Sequence, residues 1–211
     1  MTKPDAVTQM PPAAKKEAYH HGDLRAELVA ATRRLVEEKG PVGFSVAEAA
    51  RAAGVSSAAP YRHFADRTAM LHAVALDGME RMSASFDAAT APLETGSVKA
   101  ITELGKAYVR FAVAEPGLFR VMFAEHEDQP ETLVQEGANC FGRLLAQVGA
   151  YLGLPPDDPA VNEVAIPLWI FVHGAAFLTI DSKLKEKTHD ITADDMIETA
   201  TARLLGPRPA A

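Results

Sequence analysis

The residues of this sequence whose types and spacing could best do chemistry lie in GVSSAAPYRHFADR, residues 54–67. The small residues Ser57, Ala58 and Ala59 would let the backbone come close to the wall of a DNA groove, where an alanine methyl can contact a thymine methyl. Arg62 follows them and can reach a phosphate or a guanine edge. This pattern predicts recognition of double-stranded DNA.

Larger side chains follow these small residues. Tyr61 and His63 can reach phosphate oxygens, and Arg67 can hold another phosphate. Phe64 should turn inward and anchor the segment, and Asp66 should cap the helix that follows. The pattern alone leaves a second interpretation open, because Tyr, His and Phe within four residues are usually core aromatics, and the segment could be an ordinary helical corner.

Two helices must position this segment. The spacing of Leu24, Leu28, Ala31 and Leu35 predicts a first helix over residues 23–39, which a glycine and a proline then end. The second helix opens with SVAE, a capping box in which a serine hydroxyl and a glutamate carboxylate each satisfy a free backbone amide. A glycine able to adopt the left-handed conformation should end it. Together they give the pattern of a helix-turn-helix.

The third helix of this unit should begin at Ser56 or Ser57. Pro60 then lies in or next to the first turn, where its missing N–H costs well below the roughly 3 kcal/mol of a mid-helix proline. We therefore expect a stiff helix start at residues 56–60.

Charge is distributed unevenly along the chain. Residues 1–72 carry ten Lys and Arg against eight Asp and Glu, whereas residues 73–211 carry eleven against twenty. A mildly basic head on an acidic body can still bind DNA through one face. The single cysteine, Cys140, excludes an intramolecular disulfide, and the first 21 residues contain no apolar secretory stretch. We therefore expect a cytoplasmic protein with a disordered arm over residues 1–18.

Residues 19–71, YHHGDLRAELVAATRRLVEEKGPVGFSVAEAARAAGVSSAAPYRHFADRTAML, resemble the DNA-binding domain of the tetracycline-repressor (TetR) family. The second half resembles a subgroup of ligand domains with a Trp-x-x-x-His-Gly signature, here residues 169–174. Two departures are that Ala58-Ala59-Pro60 stands where many members have Gly-Thr-Leu, and that Arg67 replaces the commoner lysine. The operator sequence therefore does not carry over.

The resemblance implies an all-α fold. Residues 19–66 would form a three-helix DNA-binding head, and residues 67–211 a ligand-binding and dimerisation body, with about nine helices in all. It implies a homodimeric regulator, most often a repressor, that binds a near-palindromic operator and is released by a small molecule. The implied DNA-contacting residues are Ser45, Ser56, Ser57, Ala58, Ala59, Tyr61, Arg62, His63 and Arg67.

The body reads as six further helices, of which the eighth in the chain is the most apolar. Its run AIPLWIFVHGAAFLTI has 16 residues, short of the roughly 20 that a membrane span needs, and contains a histidine. One face should line the interior of the body, and another should meet a second subunit. With the last helix this would build a four-helix bundle across a two-fold axis.

A ligand pocket is expected among helices five to eight. For its aromatic residues, a role in plain core packing stays open. His173 within an apolar helix needs a hydrogen-bond partner, which could be a ligand, a backbone carbonyl or a tyrosine. The candidate lining residues are Phe111, Phe119, Met122, Phe141, Trp169, His173 and Phe177.

Other function classes find less support in the sequence. We identify no catalytic residues, no paired metal-ligand spacing, no Gly-rich phosphate loop and no nucleophile elbow, and so expect no enzyme and no cofactor besides an unknown effector. Cys140 lies on an apolar helical face and should be inert. A ligand-independent architectural DNA-binding factor of the same fold remains the main alternative, and a small helical enzyme a more distant one.

Overall fold

The computed structural model of the chain describes residues 24–124, 128–184 and 191–206. Within these ranges all regular structure is helical, as predicted, and the expected arm over residues 1–18 lies outside them. The α-helices are α1 (Leu24–Lys39), α2 (Val46–Ala52), α3 (Arg67–Thr90), α4 (Val98–Ala114), α5 (Pro116–Met122), α6 (Glu131–Leu152), α7 (Pro159–Ile180) and α8 (Ala193–Leu205).

The start and end of α2 follow the local sequence signals. The Ser45 hydroxyl accepts a hydrogen bond from the backbone N–H of Glu48, and the Glu48 carboxylate accepts one from the backbone N–H of Ser45, so the predicted capping box is present. Gly54 follows with φ +71°, in the left-handed region that favours glycine. The turn after α2 is therefore encoded by its glycine.

The structure corrects the prediction of a regular third helix after α2. The structure has a three-residue 3-10 turn, Pro60–Arg62, in its place. Pro60 has no N–H to donate to the carbonyl of Ser56, so that carbonyl accepts from Ala59 instead, at 3.0 Å. His63 likewise donates to the carbonyl of Pro60 at 2.9 Å. The proline thus tightens the segment into successive i, i+3 turns instead of starting a regular helix.

Helix α3 connects the head to the body. It begins at the predicted cap, where the Asp66 carboxylate accepts a hydrogen bond from the N–H of Ala69. Its 24 residues pack against α1 on the head side and against α4, α5 and α6 in the body. Helix α4 lies at the centre of the body and packs against α3, α6, α7 and α8. Helix α1 also contacts α5, so the head touches the body at two helices.

Helix α7 is mainly apolar but only partly covered. It is the one helix in the described part of the chain that is long and apolar enough to cross a membrane, by length and composition alone. Only 28% of its most apolar 18-residue stretch is buried. One side packs on α4, α6 and α8, and the other exposes Ile166, Ile170 and Leu178.

Candidate DNA-binding surface and apolar cavity

The segment after α2 presents most of its predicted contact residues to solvent. Ser56, Ser57 and Ala58 are exposed, as are Arg62 and His63. Tyr61 is 60% exposed, an unusual fraction for an aromatic residue, which leaves its hydroxyl free to meet a partner outside the fold.

Three residues of the same segment point the other way. Pro60 and Phe64 are buried, and Phe64 carries the Arg25 guanidinium over its ring at 5.3 Å, so the inward position predicted for Phe64 is confirmed. Ala59 is half-buried and packs against the core, whereas the sequence pattern placed it towards DNA bases. The outward face therefore consists of the serines, Ala58 and the Tyr-Arg-His triplet.

The side chain of Ser45, which was expected to contact a phosphate, forms the N-terminal cap of α2. Its hydroxyl donates to Glu48 Oε2 at 3.0 Å and accepts from the Glu48 backbone N–H at 3.2 Å. Lys39 Nζ lies 2.6 Å from Glu48 Oε1. The hydrogen bonds from Lys39 and Ser45 lower the pKa of Glu48 to about 2, so the α2 N-terminus already holds an anion.

Arg67 is turned towards the loop before α2. Its Nε donates to the carbonyl of Phe44 at 3.2 Å, and its terminal nitrogen donates to the carbonyl of Pro41. The guanidinium also lies 4.6 Å above the centre of the Phe44 ring. Arg67 therefore fixes the loop that carries Ser45, and only its remaining N–H groups are available to a phosphate.

The body contains a partly open cavity of about 390 Å³, and the exposed Ile166 is one of its lining residues. Its wall is drawn from α3, α4, α6, α7 and the residue after α5. The lining residues are Met79, Met82, Phe86, Leu104, Tyr108, Phe123, Gly137, Cys140, Phe141, Leu144, Ile166, Trp169 and Val172.

Only two of the predicted pocket residues, Phe141 and Trp169, line this cavity. Phe119 is fully buried core, and Met122 is buried beside Gly78 of α3. Phe111 lies under the guanidinium of Arg81 at 5.9 Å. The walls from α3 and α4 were not predicted from the sequence, although the helical spacing of Met79, Met82 and Phe86 marks one inward face of α3.

His173 and Phe177 stand behind the cavity wall, in a cluster of rings around Phe119. The centre of the Phe119 ring lies 5.8 Å from that of His173 and 5.3 Å from that of Phe177. The partner of His173 is Tyr108, whose hydroxyl oxygen lies 2.6 Å from Nδ1. Tyrosine was one of the predicted alternatives for this partner.

Trp169, on the same helix as His173, also lies close enough to the Tyr108 hydroxyl to influence it. Trp169 and His173 are four residues apart, so they lie on one face of α7, next to Tyr108 of α4. Burial raises the pKa of Tyr108 and lowers that of His173, so both groups are uncharged at neutral pH.

Cys140 on the cavity wall is buried and is a free thiol. Burial raises its pKa, which keeps it protonated and a poor nucleophile, in agreement with the inert role expected of it.

Helix α5 joins the head to this ring cluster. The Glu37 carboxylate of α1 accepts hydrogen bonds from the backbone N–H groups of Gly117 and Leu118. Beside this contact, Glu115 accepts from Arg33 of α1 at 3.1 Å and from Arg81 of α3 at 2.8 Å. Two carboxylates, those of Glu37 and Glu115, thus hold the joint between head and body.

A helix-turn-helix head with an exposed turn, carried on a helical body around an apolar cavity, defines a DNA-binding transcriptional regulator. Residues 28–74 match the family model of bacterial regulatory proteins of the tetR family, and residues 101–204 match that of a tetracyclin repressor-like C-terminal domain. Together these models cover most of the chain, which belongs to the TetR family.

Solved structures share the fold. A protein with unknown function from Rhodococcus sp. RHA1 is 28% identical, with a TM-score of 0.77 over 90% of this chain and 97% of that chain. A TetR family transcription regulator from Marinobacter aquaeolei VT8 is 21% identical, with a TM-score of 0.62 over 87% and 94%. PfmR from Thermus thermophilus, a TetR family transcriptional regulator, is 17% identical, with a TM-score of 0.56 over 84% and 96%. No curated protein gives a significant match.

Proposed function

We propose that this chain is a homodimeric, ligand-responsive repressor that binds a near-palindromic operator and is released by a small molecule. The observation that carries the proposal is an open apolar cavity in a body whose helices α3 and α5 contact the head directly. A ligand-independent architectural factor of the same fold would be favoured by a body filled with its own side chains. The open cavity argues for the ligand-responsive alternative.

On the DNA side, we assign the exposed segment to the major groove. Ser57 and Ala58 would lie against base edges, and Ser56 beside them. Arg62 would read a base or hold a phosphate, and Tyr61 and His63 would hold phosphates.

The remaining predicted contacts act from behind this face. Ala59 supports the segment from the core side, and Ser45 holds the start of α2. Arg67 acts mainly by fixing the preceding loop.

For the dimer, we assign the uncovered face of α7 to a second copy of the chain. The apolar stripe of Ile166, Ile170 and Leu178 is interrupted by Gly174, whose missing side chain would allow close approach. With α8, this would form the four-helix bundle expected from the sequence. Two recognition segments about 34–36 Å apart would then meet successive major grooves on one side of the duplex.

For the switch, we assign the effector to the cavity. Met79, Met82 and Phe86 of its wall belong to α3, whose other end begins directly after the recognition segment. A ligand that prefers one position of α3 and α5 would change the spacing of the two heads, and only such a differential affinity can move the equilibrium. The regulator would act in the cytoplasm, and Trp169 and His173 would mark the Trp-x-x-x-His-Gly subgroup.

Footprinting with genomic fragments, followed by a screen for compounds that release the DNA, tests the proposal. We expect a protected site with two-fold symmetry, and loss of protection with at least one compound. Protection that no compound reverses would favour the architectural alternative, and no sequence preference at all would overturn DNA regulation.

A matched pair of variants tests the assigned face. Arg62→Ala should lower operator affinity by about 1–3 kcal/mol. Lys99→Ala removes the same charge from an exposed position of the body and should leave affinity unchanged. Equal losses in the two variants would remove Arg62 from the interface.

A further inference from the structure

We propose that the effector is an uncharged, mainly apolar molecule with a single hydrogen-bonding group, and that Tyr108 on the cavity wall receives this group. The inference rests on the proposed function, in which a small molecule occupies the cavity. It goes further because it selects the chemical class of that molecule and the residue that orients it.

The described part of the wall offers no counter-charge. Among the described residues that line the cavity there is no Lys, Arg, Asp or Glu, and the polar side chains on it are those of Tyr108, Trp169 and Cys140. Moving an ionised ligand from water into such surroundings costs its hydration without an ion pair to offset the loss. The described wall therefore disfavours a carboxylate, a phosphate or an ammonium group in the interior.

The charged groups that act on Cys140 of this wall are already engaged. Arg143, which acts electrostatically on Cys140, donates through Nε and a terminal nitrogen to the two carboxylate oxygens of Asp87, each at 2.8 Å. Glu136 accepts from Ser83 and from Asn139, each at 3.0 Å. An anionic effector would find Arg143 already paired with Asp87 and the carboxylate of Glu136 nearby, so these groups also disfavour negative charge.

The polar anchor is the hydroxyl of Tyr108. A phenol donates one hydrogen bond and accepts others, and one of these positions is used by Nδ1 of His173. A ligand hydroxyl can use a remaining position for either tautomer of His173, because it both donates and accepts. Since His173 on α7 holds the phenol, the cavity has one oriented hydroxyl in a mainly apolar wall, as in sites that bind small apolar ligands.

Gly137 lies on the wall, and a side chain there would enter open space. A Cβ built on this residue meets no atom within 4 Å, and the same holds for Gly142, which lies on α6 but outside the cavity lining. Both residues are helical, so the same substitution can be made at each without a backbone conflict. They form a matched pair that separates ligands in the cavity from ligands elsewhere on the protein.

The experiment uses a series on one ring system: naphthalene, 2-naphthol, 2-naphthoate and 2-naphthylmethylamine, the last two charged at pH 7.5. Affinities for the full-length dimer are measured by displacement of the fluorescent probe N-phenyl-1-naphthylamine. We expect 2-naphthol to bind at least about tenfold more tightly than either charged compound. Equal or tighter binding of a charged member, or no binding of naphthalene and 2-naphthol, would overturn the inference.

Variants locate the site. Tyr108→Phe should lower the affinity for 2-naphthol about fivefold while that for naphthalene stays within about twofold, since only the former uses the hydroxyl. Gly137→Leu should weaken both compounds about tenfold or more, and Gly142→Leu should not. Equal effects at the two glycines, or a Tyr108 variant that changes neither ligand, would contradict the assignment.

The same preparations are tested for operator binding without any ligand. If the protein does not bind the operator but binds the naphthalene series in the expected order, the proposed function is wrong and the ligand class still stands. If the protein binds the operator normally but prefers the charged naphthalene compounds, only the ligand class is wrong.

Discussion

Glu37 accepts a hydrogen bond from the backbone N–H of Leu118, with 2.6 Å between Oε1 and the nitrogen. Its other oxygen accepts from the N–H of Gly117 at 3.0 Å. The first amides of a helix have no partner within the helix, so a carboxylate of the head satisfies the start of α5 in the body. Gly117 allows this approach, because a Cβ there would lie 2.7 Å from the carbonyl oxygen of Val36.

Replacing this carboxylate should loosen the joint. Glu37→Gln keeps one acceptor for two amides, so we expect a loss of about 1–2 kcal/mol in the free energy of unfolding. Urea denaturation followed by circular dichroism measures this loss. Its neighbour Glu38 is exposed, and Glu38→Gln should change stability by less than about 0.5 kcal/mol. A larger loss in the Glu38 variant would show that the cap is not what stabilises the joint.

Arg67 offers a direct choice between two roles, a phosphate contact and a loop anchor. Arg67→Lys keeps the positive charge but loses the Nε–H bond to Phe44 and the planar stacking on its ring. If Arg67 is a loop anchor, the Arg67→Lys variant should lose about 1–2 kcal/mol of stability and should also bind the operator more weakly, with the salt dependence of binding unchanged.

Unfolding curves and operator titrations at several salt concentrations check this expectation. Arg51→Lys, at an exposed head position, is the control and should change stability little. Full operator affinity and stability in the Arg67 variant would instead assign the residue to a phosphate.

Features encoded by neighbouring residues could be predicted from the sequence. The cap at Ser45, the turn at Gly54 and the cap at Asp66 each depend on groups within four residues, and all three are present. The 3-10 turn at Pro60 was not predicted, although its cause is also local: Pro60 offers no N–H to the Ser56 carbonyl, which accepts from Ala59 instead.

The cavity depends on residues far apart in the chain. Tyr108 and His173 are separated by 65 positions, and only the packing of α4 on α7 brings them to hydrogen-bond distance. Which apolar residue borders empty space and which fills the core is likewise decided by several helices together. The sequence therefore identified Phe119 and Trp169 as equivalent candidates, and the structure separates them into core and wall.

The α2 cap predicts a pH dependence. The folded-state pKa of Glu48 lies near 2, below its ordinary value of 4.5, so the carboxylate contributes stability above about pH 4.5, and this contribution is lost as the pH falls towards 2. Glu48→Gln should therefore be less stable than the parent at pH 5.5, and the difference should shrink by pH 3. Urea denaturation at both pH values measures it.

Glu80→Gln, at an exposed position of α3, is the matched control and should parallel the parent at both pH values. A Glu48 variant whose deficit is the same at pH 5.5 and pH 3 would mean that the ionised carboxylate is not the stabilising form.

If the uncovered face of α7 forms the dimer contact, a single charge introduced on this face should weaken the dimer. Ile170 is 60% exposed in the single chain, and Ile170→Glu would place an unpaired carboxylate in the proposed dimer contact, at a cost of about 3 kcal/mol or more. We expect the dimer dissociation constant to rise about a hundredfold or more in sedimentation equilibrium, with helix content unchanged, and operator affinity to fall because two linked half-sites become independent. Val134→Glu introduces the same charge at a 55% exposed position of α6 and should leave the dimer intact. If the Ile170 variant sediments as a dimer, or both variants dissociate alike, α7 does not form the interface and the second subunit must be placed on another face.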